Sequence, residues 1–235
     1  MILQKTEKIS LSRLNNIEFV KDLDENSKKL IRKYLSIESE YRYALREVSA
    51  RLENLDDFCQ RYFDHNPIHH IESRIKTPES IIEKMIRREY EMDFEILKKN
   101  IYDIAGIRVV CNYINDIYQI INLLNKQKDL DIVLTKDYIV NPKDTGYRSL
   151  HMVIEKQIYI NDEMKIVPVE IQFRTLAMDM WASLEHELRY KSHNNLSDED
   201  KDNLKKYSLD LYEVDLNMQR IFINTTTNGG KREDD

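Results

Sequence analysis

Two acidic side chains stand among cations at spacings that suit phosphate chemistry. Asp103 precedes the β-branched run Ile104-Ala105-Gly106-Ile107-Arg108-Val109-Val110-Cys111, so a carboxylate and a guanidinium fall at the mouth of one strand. Glu170 lies in 167–173, where strand alternation sends Val167, Val169, Ile171 and Phe173 to one face and Pro168, Glu170, Gln172 and Arg174 to the other. Alone, such a glutamate reads as part of a solvated polar face. It has company, however: Leu150, Met152 and Ile154 alternate with Ser149 and His151, directly after the turn-like segment 141–148 that carries Pro142, Lys143, Gly146 and Tyr147. A third cluster, Ser73-Arg74-Ile75-Lys76-Thr77-Pro78, opens a helix on which Ser80, Lys84 and Arg87 recur at i, i+4 and i+7, with Ile81, Ile82, Met85 and Ile86 on the other side. A helix N-terminus with a row of cations suits a polyphosphate; the plain alternative is a solvated face balanced by Glu79 and Glu83.

The chain has four glycines, Gly106, Gly146, Gly229 and Gly230, too few and too scattered for a Walker A loop, a dinucleotide fingerprint or a kinase glycine loop. Bound phosphates must therefore be held by side chains. A net charge of −6 argues against a broad surface for DNA or other long polyanions and is compatible with a local basic patch for a nucleotide. His186-Glu187 begins like a zincin helix, but Tyr190 stands where the second histidine is required. Cys59 with His65, His69 and His70 lacks the paired spacing of a zinc site. Cys59 and Cys111 sit in apolar stretches and read as packed thiols. Apolar runs are far shorter than a bilayer span, and the N-terminus lacks a signal peptide's pattern, so a cytoplasmic protein with no membrane contact is expected.

The elements that must position these residues follow from periodicity. Tyr41, Leu45, Val48, Leu52, Leu55, Cys59 and Tyr62 mark a long helix over 28–63, and Leu204, Tyr207, Leu211, Val214, Met218 and Ile221 mark another, N-capped by Ser197. Either stripe could seal the core or join subunits. Strands are expected at 104–111, 131–134, 149–154 and 167–173, and further helices at 78–98, about 115–127 and 176–191, with Trp181 in the core. The residues before Arg74 read as helix. The fold class is α+β: a mixed β-sheet flanked by helices, with long N- and C-terminal helices. One domain over 20–222 is expected, comprising a helical part 28–65, a catalytic core 66–192 and a terminal helix 197–222, with flexible tails at 1–19 and 223–235.

Taken in order, SRIKTPESIIEKMIRR, DIAGIRVVC, KDYIVNPKDTGYRSLHMVI and VPVEIQFRTLAMDMWASLEHELRYK resemble the synthetase domain of the RelA/SpoT family, and more closely the small alarmone synthetases, over about residues 60–192. The resemblance implies a nucleotidyltransferase-like fold and transfer of the β,γ-pyrophosphate of ATP to the 3′-oxygen of GDP or GTP. It implies Mg²⁺ on Asp103 and Glu170, with Glu170 also orienting or deprotonating the attacking hydroxyl. For ATP it implies an adenine sandwich by Arg74 and Arg108 and phosphate contacts from Lys76, Ser80, Lys84 and Arg87. For the acceptor it implies Tyr147 stacking on guanine, Lys143 and His151 at phosphate, Gln172 beside sugar and base, and Asp179 in guanine selection.

Two positions depart from the pattern. Lys136 stands where many members have an acceptor-side arginine, keeping the charge and losing the fork, and Asp179 replaces an asparagine common in small members. The segment before Arg74 is expected to hold no hydrolase domain. Small members are typically homotetramers joined through terminal helices, and an alarmone or a single-stranded RNA is a candidate regulator. Two rival readings remain: a nucleotide- or RNA-sensing module without turnover, and an ordinary nucleotidyltransferase releasing pyrophosphate in place of AMP.

Overall fold

The computed structural model describes residues 23–190 and 196–228. The chain runs α1 (Glu25–Tyr62), β1 (Ile68–Ile75), α2 (Pro78–Arg87), α3 (Phe94–Asn100), β2 (Ala105–Cys111), α4 (Ile114–Asn125), β3 (Asp131–Asp137), β4 (Leu150–Ile160), β5 (Glu163–Thr175), α5 (Leu176–Tyr190) and α6 (Asp198–Asn228). The strands form one mixed sheet in the order β1-β2-β5-β4-β3, with β2 and β5 parallel and the other pairs antiparallel. This is the α+β class expected.

The apolar stripe of α1 lies across one face of the sheet, where Leu45, Val48, Leu52 and Cys59 join Val169, Ile171 and Phe173 in the buried core. Asp24 caps this helix, its carboxylate accepting from the Ser27 amide at 2.7 Å. Alternation in β5 is as expected: Val167, Val169, Ile171 and Phe173 are buried, and Glu170 and Gln172 look to the open face. Both cysteines are buried thiols. Among the described residues no helix is long and apolar enough to cross a membrane.

Several expectations are corrected. Residues 68–75 form β1, not helix; the strand is at the sheet edge and a register shift between Ile68 and His70 breaks its two-residue period. The helix expected over 78–98 is two helices. α2 ends in a Schellman motif, with the Tyr90 amide on the Met85 carbonyl at 3.0 Å and the Glu89 amide on that of Ile86 at 2.9 Å. Glu89 takes the left-handed conformation there (φ 55°) in place of the usual glycine, so no sequence punctuation marks the break. Ile86 is exposed rather than packed. Ser149 is buried, its hydroxyl donating to the Phe173 carbonyl at 3.0 Å, and does not share the outward face of His151. Of the expected tails, 1–19 and 229–235 lie outside the described residues, whereas 223–228 continue α6.

α6 also turns the other way from its stripe. Tyr207, Val214, Met218 and Ile221 are exposed, while Ser208 and Asp215 are buried. The inward polar groups are partnered: Thr175 Oγ1 donates to Asp215, the Asn115 amide donates to Gln219 Oε1 at 2.7 Å, and the Trp181 indole donates to the Leu204 carbonyl at 2.9 Å. α5 adds a second exposed stripe, Leu176, Met180, Leu184 and Leu188, which periodicity alone had not singled out.

Burial pushes the Asp215 carboxyl up to about 6 against the Thr175 hydrogen bond. A folded-state pKa above the unfolded one means that ionising this group costs stability, with the penalty absent below the unfolded value and growing as pH rises through about 6. Asp215→Asn keeps an acceptor for Thr175 and removes the charge. It is expected to raise the unfolding free energy at pH 8 by at most about 2–3 kcal/mol, the gain shrinking towards pH 5. Urea denaturation at the two pH values measures this; a gain independent of pH contradicts the assignment.

Candidate active site

The open face of the sheet forms one wall of a cleft of about 610 Å³ lined by Glu72, Arg74, Asp103, Arg108, Glu170 and Gln172. Parallel pairing of β2 with β5 sets Gly106 opposite Glu170 and Arg108 opposite Gln172, while β1 sets Arg74 opposite Gly106. Arg74 and Arg108 are thus diagonal neighbours on one face. Asp103 sits where the chain enters β2, gripped by two lysines: Lys76 Nζ on Oδ2 at 2.9 Å and Lys84 Nζ on Oδ1 at 2.7 Å. Thr77 explains this convergence. It caps α2 by accepting from the Ser80 amide, with Pro78 at the first helical position, so Lys76 precedes the helix and Lys84 lies along its inner side. The buried Tyr34 of α1 fixes the approach by donating its hydroxyl to the Lys76 carbonyl at 2.9 Å.

Burial alone pushes the Asp103 carboxyl up, but the charges and hydrogen bonds of Lys76 and Lys84 outweigh it and hold the group at about 2. Lys76 shows the converse: burial lowers its ammonium more than Asp103 raises it. On Glu170 burial is again opposed, here by His151 and Gln172, and the net direction is down. Both carboxylates are therefore ionised at neutral pH.

Glu170 joins Asp103 to a second half-site. His151 Nδ1 lies 3.2 Å from Glu170 Oε1 and Gln172 Nε2 donates to Oε2 at 2.7 Å. His151 Nε2 is 2.8 Å from the Tyr147 hydroxyl. Lys143 Nζ stands 4.7 Å from the ring centroids of both Tyr138 and Tyr147. Lys136, exposed on β3, pairs across the strands with His151. Thus Lys136, Lys143, Tyr147, His151 and Gln172 gather at one side of Glu170, and Arg74, Lys76, Lys84 and Arg108 at the other. Of the other expected residues, Ser80 Oγ accepts from the Thr77 hydroxyl at 3.2 Å within the helix cap, and Arg87 is exposed at the end of α2.

Asp179 occupies a place the sequence pattern does not suggest, between the halves. Its carboxylate accepts from Arg174 Nη1 at 2.9 Å, and Arg108 Nε lies 3.2 Å away, close enough to attract but out of line for a hydrogen bond. Arg174 itself, 5% exposed, is the hub that the candidate residues above omit; Gln172 and Asp179 are near it in sequence, and Tyr147 is brought to it by the fold. It donates from Nη2 to the Tyr147 hydroxyl at 2.9 Å and to Gln172 Oε1 at 3.0 Å. Glu72 was likewise unmarked; it accepts from Arg108 Nη1 at 3.2 Å. Asp137 receives the Ile139 and Val140 amides and the Tyr118 hydroxyl, fixing the turn that presents Tyr138.

Among the described residues no three histidine, cysteine or acidic side chains cluster as a self-sufficient metal cage. Two ionised carboxylates facing one cleft, ringed by cations, are nonetheless the donor set that a small hard divalent cation uses when substrate phosphates complete its shell. The residues fit such an ion. For the empty protein, Asp103→Asn strands two half-buried ammonium groups and is expected to cost about 2–3 kcal/mol of stability at neutral pH. Combining it with Lys84→Met should cost less than the two single changes together; strictly additive losses in urea unfolding would contradict the shared pairing.

Both the sequence and the fold match known proteins. Residues 73–195 match the region found in RelA/SpoT proteins. The chain is 40% identical over 181 residues to the GTP pyrophosphokinase YwaC of Bacillus subtilis, covering 77% of this chain and 86% of that protein. It is 36% identical over 181 residues to the GTP pyrophosphokinase YjbM of the same organism, covering 77% and 84%. Among solved structures, the small alarmone synthetase 1 of Bacillus subtilis bound to its product pppGpp superposes with a TM-score of 0.72 at 34% identity, covering 82% of this chain and 95% of that one. The small alarmone synthetase 2 of that organism gives 0.72 at 38% identity, covering 81% and 98%. A family match over half the chain and relatives this similar over most of their length make this chain a member of the RelA/SpoT family, on its small alarmone synthetase branch.

Proposed function

We propose that this enzyme transfers the β,γ-pyrophosphate of ATP to the 3′-hydroxyl of a guanine nucleotide, GDP, GTP or GMP, releasing AMP and forming a (p)ppGpp-type alarmone. The observation that carries the reading is a cleft lined by Arg74, Arg108, Asp103 and Glu170, with Lys76 and Lys84 bonded to the aspartate and His151, itself bonded to Tyr147, at the glutamate. A donor and an acceptor nucleotide meeting at two carboxylates is the arrangement in-line transfer requires.

In this reading Arg74 and Arg108 flank adenine, as planar guanidinium groups stack on a base. Lys76 and Lys84, already at the carboxylate, bind the triphosphate with Ser80 and Arg87. Asp103 and Glu170 would hold magnesium, which would supply positive charge against the negative charge developing on the transferred phosphates. Tyr147 stacks on guanine, Lys143, Lys136 and His151 meet the acceptor phosphates, and Gln172 and Asp179 read its sugar and base. Glu170, its ionised form favoured by His151 and Gln172, orients the 3′-hydroxyl by accepting its hydrogen bond. Positioning of this kind supplies most of the catalysis in phosphoryl transfer. The exposed stripes of α5 and α6 support assembly of a homotetramer through the terminal helices.

The test is direct. Purified protein with ATP, magnesium and each acceptor in turn should yield AMP and a 3′-pyrophosphorylated product; pyrophosphate in place of AMP would indicate nucleotidyl transfer, and no product would indicate a sensor. Glu170→Gln is expected to lower kcat about 10²–10³-fold with the fold retained. Arg174→Met, which releases the Tyr147 hydroxyl, should raise the acceptor KM about tenfold while changing the ATP KM little. Equal effects on both substrates would remove Arg174 from the acceptor half.

A further inference from the structure

The residues that match the family's region end at 195, and α6 begins at Asp198, yet α6 is packed against the acceptor half-site. The 141–148 segment carries Lys143 and Tyr147 and closes on itself through the Gly146 amide on the Lys143 carbonyl at 2.8 Å and the Lys143 amide on the Tyr147 carbonyl at 3.2 Å. Two contacts with α6 lock it. At Gly146, which takes φ +90°, the helix comes so close that an added Cβ would lie 2.9 Å from Ser208 Cβ and 3.2 Å from Lys205 Cα. The buried Ser208 hydroxyl donates to the Gly146 carbonyl. At Arg148, 8% exposed, the guanidinium stands 3.9 Å over the Tyr212 ring while Nη1 donates to the Ile139 carbonyl, tying the end of the segment to the turn that precedes it. α6 thus grips both chain neighbours of Tyr147.

We propose that Ser208 and Tyr212 of α6 are positioning residues for the acceptor nucleotide: they fix the 141–148 segment so that Tyr147 and Lys143 present a preformed guanine and phosphate site. The proposal rests on the acceptor-side reading given under the proposed function. A helix that only sealed the core would be expected to bury its apolar stripe; here Tyr207, Val214, Met218 and Ile221 of that stripe are exposed, Ser208 and Asp215 are buried, and Tyr212 is half-buried on the inner side. Of these, Ser208 and Tyr212 contact the segment, at positions one turn apart on the helix. Tyr212 acts through its ring face, and Ser208 through one hydroxyl, so each can be altered without touching a group that meets substrate.

Ser208→Ala, Tyr212→Leu and Tyr212→Phe, made in the full chain and checked for an unchanged melting profile, separate positioning from packing. Ser208→Ala and Tyr212→Leu are expected to raise the acceptor KM about five- to tenfold, with the ATP KM within about twofold of the parent, while Tyr212→Phe, which keeps the ring under Arg148, restores near-parental values. Amide hydrogen exchange should quicken over 141–148 in Tyr212→Leu and stay unchanged in β2 and β5. Ser208→Ala is the gentler change and keeps the question answerable if Tyr212→Leu fails to fold. Tyr147→Leu serves as the reference. If it raises the acceptor KM and the α6 variants do not, or if both KM values move together, the positioning role is overturned and the acceptor assignment stands. If Tyr147→Leu itself leaves the acceptor KM unchanged, the acceptor assignment fails and takes this proposal with it.

Discussion

The register between β2 and β5 is the constraint on which the rest of the site depends. Because side chains alternate with a period of two, setting Gly106 against Glu170 and Arg108 against Gln172 places those polar residues on the open face, and Ile107, Val109, Val169, Ile171 and Phe173 in the core beneath α1. A slip by one residue would bury Glu170 in the core and send Ile171 into the cleft. The pairing is also parallel, so the entry of β2, where Asp103 sits, and the middle of β5 point the same way. Core packing and active-site assembly are thus one event.

With few glycines, the proposed site holds phosphate with side chains in place of a cradle of backbone amides. It uses long cationic side chains, which carry rotamer entropy that must be suppressed before they can bind well. The structure suppresses it by contact: Lys76 is fixed at its carbonyl by Tyr34 and at its ammonium by Asp103, Lys84 by the other oxygen of the same carboxylate, and Arg108 by Glu72. The carboxylate proposed above as a metal ligand thus also orders the cations. The acceptor half is ordered in the same manner, with Arg174 spanning Tyr147, Gln172 and Asp179.

How much of this was legible in the sequence follows from which interactions are local. The polar face of 167–173 and the stripe of α1 were legible because one face of each meets a continuous apolar core, the condition under which periodicity is informative. The edge strand β1 was not, since its bulge erases the period, and neither was the end of α2, where Glu89 does what glycine usually does. α6 misled because polar residues may face inward wherever each has a partner, and those partners, Gly146, Thr175 and Asn115, lie far away in the chain. For Arg174 the residue type and two near partners were visible in the sequence, but the link to Tyr147 that makes it a hub was not.

The two faces of α6 carry a thermodynamic consequence. One grips the segment that presents Tyr147, and the other exposes Tyr207, Val214, Met218 and Ile221 across a helix only about 10 Å thick. Coupling free energies are reciprocal: any association on the outer face that alters the affinity for the acceptor must itself be altered by the acceptor to the same degree. In the proposed assembly, this one helix would let nucleotide supply and assembly state report on one another.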